Sequence, residues 1–184
     1  MSQVPTRVLA ARVDRMIVLQ FAGQVTAEFC PAVRAFCADE STDPPAAVAV
    51  YLQDVEHFDS TFLGTLLCLR SRFGDDCVVL ISPGEQCDAG LRRMGAHLLF
   101  PIQEDSLPEN VEWTNLSDRI TARDAYDFQH NVVEAHLELA RTPGPMQKVY
   151  EPIARQAERE FAQRHGWDSL STVRLPRQRV GRSD

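Results

Sequence analysis

The chain has 184 residues, enough for one domain with a full core or one domain plus an appendage. Its net charge of −7 argues against non-specific nucleic-acid binding, which needs a basic face to displace counterions from phosphate. No apolar run approaches the ~20 residues that cross a bilayer, and the opening residues MSQVPTRVLAARVD lack the basic start, apolar core and cleavage site of a signal peptide. A cytoplasmic protein with no direct membrane insertion is the expectation.

Residues 7 to 22, RVLAARVDRMIVLQFA, read as two strands meeting at a turn near Asp14-Arg15, with Gly23 breaking the second. In the following TAEFCPAVRAFCADE, Phe29, Val33 and Phe36 recur at helical spacing, and Pro31 fits the first turn of that helix. AAVAVYLQDV, residues 46 to 55, is a nearly continuous apolar run and predicts a strand buried on both faces. From Ser60, Phe62, Leu66, Leu69 and Phe73 recur at helical spacing until Gly74, which predicts an amphipathic helix with an apolar stripe. CVVLIS, residues 77 to 82, is a short core strand stopped by Pro83-Gly84. EQCDAGLRRMG is a short helix ending at Gly95, and HLLFPI is a closing apolar segment stopped by its proline. The order β-β-α-β-α-β-α-β predicts an α/β fold: one mixed sheet, parallel where right-handed crossovers join its strands, with helices mainly on one face.

After Ile102 the chain turns polar and acidic, so a boundary is placed there, with 1–102 as one domain and 103–184 as a helical C-terminal extension. Thr121 and Asp124 resemble a capping box, with Asp where Glu or Gln is usual. Ala125, Phe128, Val132 and Leu139 then line one face of a helix ending at Arg141, and Thr142-Pro-Gly-Pro145 is a turn. A second helix is expected from Glu151-Pro152 to His165 with Ile153, Ala157 and Phe161 on one side, and Met146 and Tyr150 can extend that stripe backwards. These stripes need a cover: either the two helices pack as a pair on the body, or they form a surface for a partner or a homodimer. The basic, unpatterned ending VRLPRQRVGRSD reads as a frayed tail.

Candidate chemistry is sparse. The cysteines at 30, 37, 68, 77 and 87 have no CxxC spacing and read as reduced, mostly buried small hydrophobes. His130 and Glu134 share a helix face, but His136 lies six residues beyond His130. No metal geometry of the HExxH kind results, and a solvated helix face is the reading. Ser60 has Asp59 and His57 nearby, with His57 expected in a strand-to-helix loop. There is no G-x-S-x-G elbow, P-loop or G-x-G-x-x-G, so neither catalysis nor a cofactor is expected. Arg92 and Arg93 read as a solvated helix face or a contact for an acidic partner. Two readings of Asp59-Ser60-Thr61 stand at this point. Ser60 is an N-cap with Asp59 a loop acid, or its hydroxyl is presented for modification.

Residues 7 to 102 resemble the STAS domain, in particular the bacterial anti-sigma factor antagonists. Phe58-Asp59-Ser60-Thr61 and Leu63-Gly64, reached from a strand through Asp54-Val55, look like the family's D-S-[ST]-G-L-G. Ile81-Ser82-Pro83 sits where the family has a strand ending in N-P or S-P. Leu91-Arg92-Arg93-Met94-Gly95 resembles its V-R-R-x-L segment and following glycine, and Leu99-Phe100-Pro101-Ile102 resembles its closing L-F-x-I. The chain departs from the pattern at Phe62, where the family has a small residue, mostly Gly, and the ring is expected to narrow the approach to the hydroxyl.

The resemblance implies a non-catalytic regulator. Ser60 would be the phosphoacceptor, with Thr61 as second choice, and Asp59, Ser60, Thr61, Phe62 and Gly64 would form the partner-binding surface. The partner would be an anti-sigma factor that is also a serine kinase of the ATP-binding kinase type: the unmodified domain binds it, and the phosphorylated one lets go. The alternative is a STAS scaffold subunit of an ABC-type lipid transport complex without a phosphate cycle, which Phe62 would suit as an apolar interface anchor.

Overall fold

The computed structural model describes residues 4–39, 45–119 and 125–166. Strands β1 (Arg7–Val13) and β2 (Met16–Val25) form an antiparallel hairpin closed by Asp14-Arg15, with Val13 opposite Met16. Asp14 takes a left-handed φ of 51°, a conformation that a short polar side chain tolerates. β2 does not stop at Gly23. It continues to Val25 alongside β3 (Ala47–Phe58) through two register shifts that flank Gly23, whose φ is 71°. The glycine is absorbed as an irregularity in the ladder, where its missing side chain admits the backbone of Val4 and Thr6.

Helix α1 (Cys30–Asp39) follows a single 3₁₀ turn at Ala27–Phe29 and carries Pro31 in its first turn, as the sequence predicts. Helix α2 (Ser60–Phe73) runs from the end of β3 to Gly74. Strand β4 (Val78–Ile81), helix α3 (Glu85–Arg93) and strand β5 (Ile102–Gln103) complete the crossovers. The proline in HLLFPI does not end a strand. It precedes β5, and its carbonyl accepts the N–H of Leu80 at the start of that pairing.

The sheet order is β5-β4-β3-β2-β1-β6, parallel from β2 to β5. Three crossovers step in one direction along the sheet, and α1, α2 and α3 share one core on it, the arrangement that crossovers of a single hand produce. There Val33, Cys37, Leu63, Leu66, Cys87 and Leu91 share a core with Ile17, Leu19, Val48, Val50 and Leu80. Alternate strand residues Val18, Ala49, Tyr51 and Ile81 face the other way, where Trp113 packs on them and the Tyr51 hydroxyl donates to the carbonyl of Ser106. The α/β class and mixed sheet are those expected from the sequence.

The expected boundary lies between Ile102 and Gln103. It falls inside β5, and the segment after it supplies β6 (Thr114–Asn115), paired with β1, and the fully buried Leu116. A two-residue strand in an acidic stretch has no periodicity to read.

Helices α4 (Ala125–Arg141) and α5 (Pro145–His165) pack against each other, and α4 lies on α2. Of the two covers considered for their stripes, the structure shows packing on the body. The stripe on α4 is not the expected one: Ala125 and Phe128 are exposed, and the buried face holds Asn131, Val133, Glu134, Ala135, His136 and Leu139. α5 begins six residues before Glu151 and passes through Pro152, with Met146 buried in the main core. Ile153 is exposed, while Ala154 and Phe161 are buried. The capping-box residues Thr121 and Asp124 and the basic ending lie outside the described residues. The cysteines are free, with Cys30, Cys37 and Cys87 buried.

Candidate functional site

The start of α2 sits where β2 and β3 end together, since the Asp59 N–H donates to the carbonyl of Val25. Asp59, not Ser60, is the N-cap. Its backbone is extended, with φ −101° and ψ 175°, and its Oδ1 accepts the N–H of Phe62 at 2.9 Å. The other oxygen, Oδ2, accepts the N–H of Ala27 at 2.8 Å, so one carboxylate caps α2 and also holds the 3₁₀ turn before α1. The reading of Ser60 as the cap and Asp59 as a loop acid is therefore corrected. Ser60 is the first helical residue, and its hydroxyl is not consumed by capping.

That hydroxyl has another partner. Ser60 is half-buried, and its Oγ lies 3.1 Å from Nε2 of His136 on α4. The Nδ1 of the same ring is 2.8 Å from the carbonyl oxygen of Val132, which can only accept. In a neutral ring the proton is therefore on Nδ1, and Nε2 is left to accept the Ser60 O–H. His136 is 8% exposed, so the expected solvated face of HNVVEAH is a buried one. The polar contacts continue along it. The guanidinium of Arg34, on α1, pairs with Glu134 and donates to Asn131 Oδ1 at 3.1 Å, and His130 Nδ1 lies 3.3 Å from the Glu134 carboxylate. Ser71, on α2, donates to Glu138. Burial raises the pKa of Glu134, but the hydrogen bonds from His130 and Arg34 outweigh it and hold the carboxyl below its ordinary value.

The residues expected to meet a partner divide into two groups. Asp59 and Ser60 keep partial exposure, whereas Thr61, Phe62 and Gly64 are buried. The Phe62 ring points into the core, edge-on to Phe21 at 4.9 Å and 5.9 Å from Phe58, so it neither narrows the approach to Ser60 nor offers an apolar anchor. Gly64 meets α4 so closely that an added Cβ would stand 2.3 Å from the carbonyl oxygen of Ala135. Arg92 and Arg93 are exposed on α3, with Arg92 bound to Asp88.

A serine facing a histidine is half of a hydrolytic constellation. Here the ring is oriented by a neutral backbone carbonyl and not by a carboxylate, and the Phe62 and Leu63 N–H groups at the helix start are already taken by Asp59. His57, expected from sequence in a strand-to-helix loop, is exposed in β3 opposite Gln24. Among the described residues no group of three or more His, Cys, Asp or Glu can hold a metal ion, and no helix is long and apolar enough to cross a membrane.

No family model and no curated protein matches this chain. Among solved structures, the chain is similar to an anti-sigma factor antagonist from Mycobacterium paratuberculosis, at 21% identity over 54% of this chain and 85% of the other, with a TM-score of 0.45.

Proposed function

We propose that the chain is a non-catalytic regulatory protein that binds an anti-sigma factor with serine kinase activity through the start of α2, and that a phosphate on Ser60 ends that binding. The reading rests on the D-S-T element with its flanking motifs, and one observation carries it further. Asp59 has taken over capping, which leaves the adjacent Ser60 hydroxyl unneeded by the helix it begins.

A phosphate there adds about −1.5 to −2 charges near neutral pH. The helix dipole favours it by about 0.3–1 kcal/mol, so the body is expected to survive modification. A partner surface pressed on the same spot would meet a dianion beside the Asp59 carboxylate and be repelled. Thr61, the second choice, has its side chain buried and is the poorer acceptor. The transport-scaffold alternative loses the feature that favoured it, because the Phe62 ring is inside the core.

The test is the mass of the protein purified from its own host, followed by peptide mapping. One phosphate on the peptide containing Ser60, absent in Ser60→Ala, is expected. With the kinase in hand, Ser60→Asp should bind it weakly and Ser60→Ala constitutively. Equal binding by both variants would overturn the switch.

A further inference from the structure

We propose that the α4–α5 hairpin is an internal occupant of the partner-binding face, so that Ser60 becomes available only when α4 lifts away from α2. This rests on the reading of the α2 start as the docking site and adds its regulation. Three contacts place α4 there. His136 holds the Ser60 hydroxyl at 3.1 Å, Ala135 lies against the bare backbone of Gly64, and Ser71 reaches Glu138 further along the same helix. A phosphoryl group on Oγ would replace the hydroxyl proton that His136 accepts and so break this contact. A kinase or any other protein docking on this face would collide with the whole helix.

The hairpin is built to leave as a unit. Val133, Phe161 and Ala162 form a cluster of their own with Tyr126, Leu137 and Ala157, separate from the main core. Part of its hold on the body is polar, through Ser60–His136, Arg34–Glu134, Arg34–Asn131 and Ser71–Glu138, beside the apolar contacts of Leu139, Met146 and Tyr150 with the main core. Polar junctions of this kind are characteristic of interfaces whose partners separate. The buried polar groups of α4 all find water on opening, which lowers the cost of exposure relative to an apolar seam. Gly64 fits the same account. A glycine inside a helix is unfavourable, and this one is required by the approach of Ala135 and not by any turn.

The experiment uses the full chain. Ser60→Cys places a thiol at the guarded position, and its alkylation by iodoacetamide is followed peptide by peptide. Adding Gly64→Ala, whose Cβ collides with the Ala135 carbonyl, should speed labelling at position 60 by at least ten-fold while Cys87 on α3 keeps its rate. Equal labelling with and without Gly64→Ala overturns the proposal. So does a matching rise at Cys87, because the hairpin then cannot open without the body. Hydrogen exchange on the unaltered chain gives a second measure. Amides of α4 should exchange through an opening that leaves the β2 and β3 amides protected, and exchange of both at one common rate overturns the proposal. Neither measurement involves a kinase or a phosphate. A host protein lacking phosphate on Ser60 would therefore defeat the switch without touching the hairpin result.

Discussion

The carboxylate of Asp59 accepts the backbone N–H of Ala27 at 2.8 Å, thirty-two residues earlier in the chain, while its other oxygen caps α2 at Phe62. One side chain thus fixes both the start of α2 and its distance from the turn entering α1. Removing both bonds in Asp59→Ala should cost about 1–3 kcal/mol, one helix cap plus a second backbone donor left without its acceptor. Asp59→Asn keeps one carbonyl oxygen and turns an amide nitrogen toward the other donor, so its loss should fall between. Urea denaturation of the three proteins checks the order, and an Asn variant as stable as the parent would show that only one of the two contacts matters.

Phe62 supplies a core prediction that also bears on function. Its ring is 2% exposed and packs on Phe21 and Phe58, so Phe62→Ala should destabilise by about 3–5 kcal/mol and Phe62→Leu by clearly less. Because no part of the ring is offered to a partner, Phe62→Leu should leave binding at the α2 start unchanged wherever the protein stays folded. A binding loss in a well-folded Phe62→Leu protein would restore the ring as an interface anchor.

The body of the fold was legible because its signals are apolar and local. The run from Ala47 to Val55 marks a central strand, and Phe62, Leu66 and Leu69 mark the buried side of α2. The site was legible only in half. Asp59-Ser60-Thr61 announced a helix start, but nothing near it announced His136, which arrives from seventy-six residues away. On α4 the periodicity of Ala125, Phe128, Val132 and Leu139 marked the buried face only at Leu139, since Ala125 and Phe128 are exposed. The true inner face carries Asn131, Glu134 and His136, which look solvated until their partners Arg34 and Ser60 are known. A polar face can be buried only where another element supplies matching donors and acceptors, and a single chain read in sequence order does not show which element that is.

The buried cysteines should be nearly inert. Burial pushes the thiols of Cys30 and Cys87 up to about 12 from an ordinary 9.0, which lowers the thiolate fraction at mildly alkaline pH roughly a thousand-fold. Burial of the sulfur slows attack further. Alkylation of the native protein near pH 8 should therefore begin at half-exposed Cys77, with Cys30 and Cys87 reacting only on denaturation. Fast labelling of Cys87 in native buffer would mean that α3 does not seal against the sheet.

The ion cluster that holds α4 to α1 gives the fold a dependence on acid. Burial alone would raise the pKa of Glu134, but hydrogen bonds from His130 and Arg34 bring it below the glutamate's ordinary 4.5. A carboxyl whose pKa is lowered on folding binds its proton more readily in the unfolded chain, so stability rises with pH across that interval. The contribution is fully present above about 4.5 and is lost as pH falls from there through the lower folded value. Above that window Glu134→Gln should be the less stable protein, since Arg34 keeps its charge and loses its carboxylate. Below it the parent carboxyl is itself neutral and the two proteins should converge. Urea unfolding followed by far-UV circular dichroism across the acid range reads the difference directly. A gap between parent and variant that stays constant down to the lowest pH would mean that packing of the side chain, and not its charge, is what Glu134 contributes.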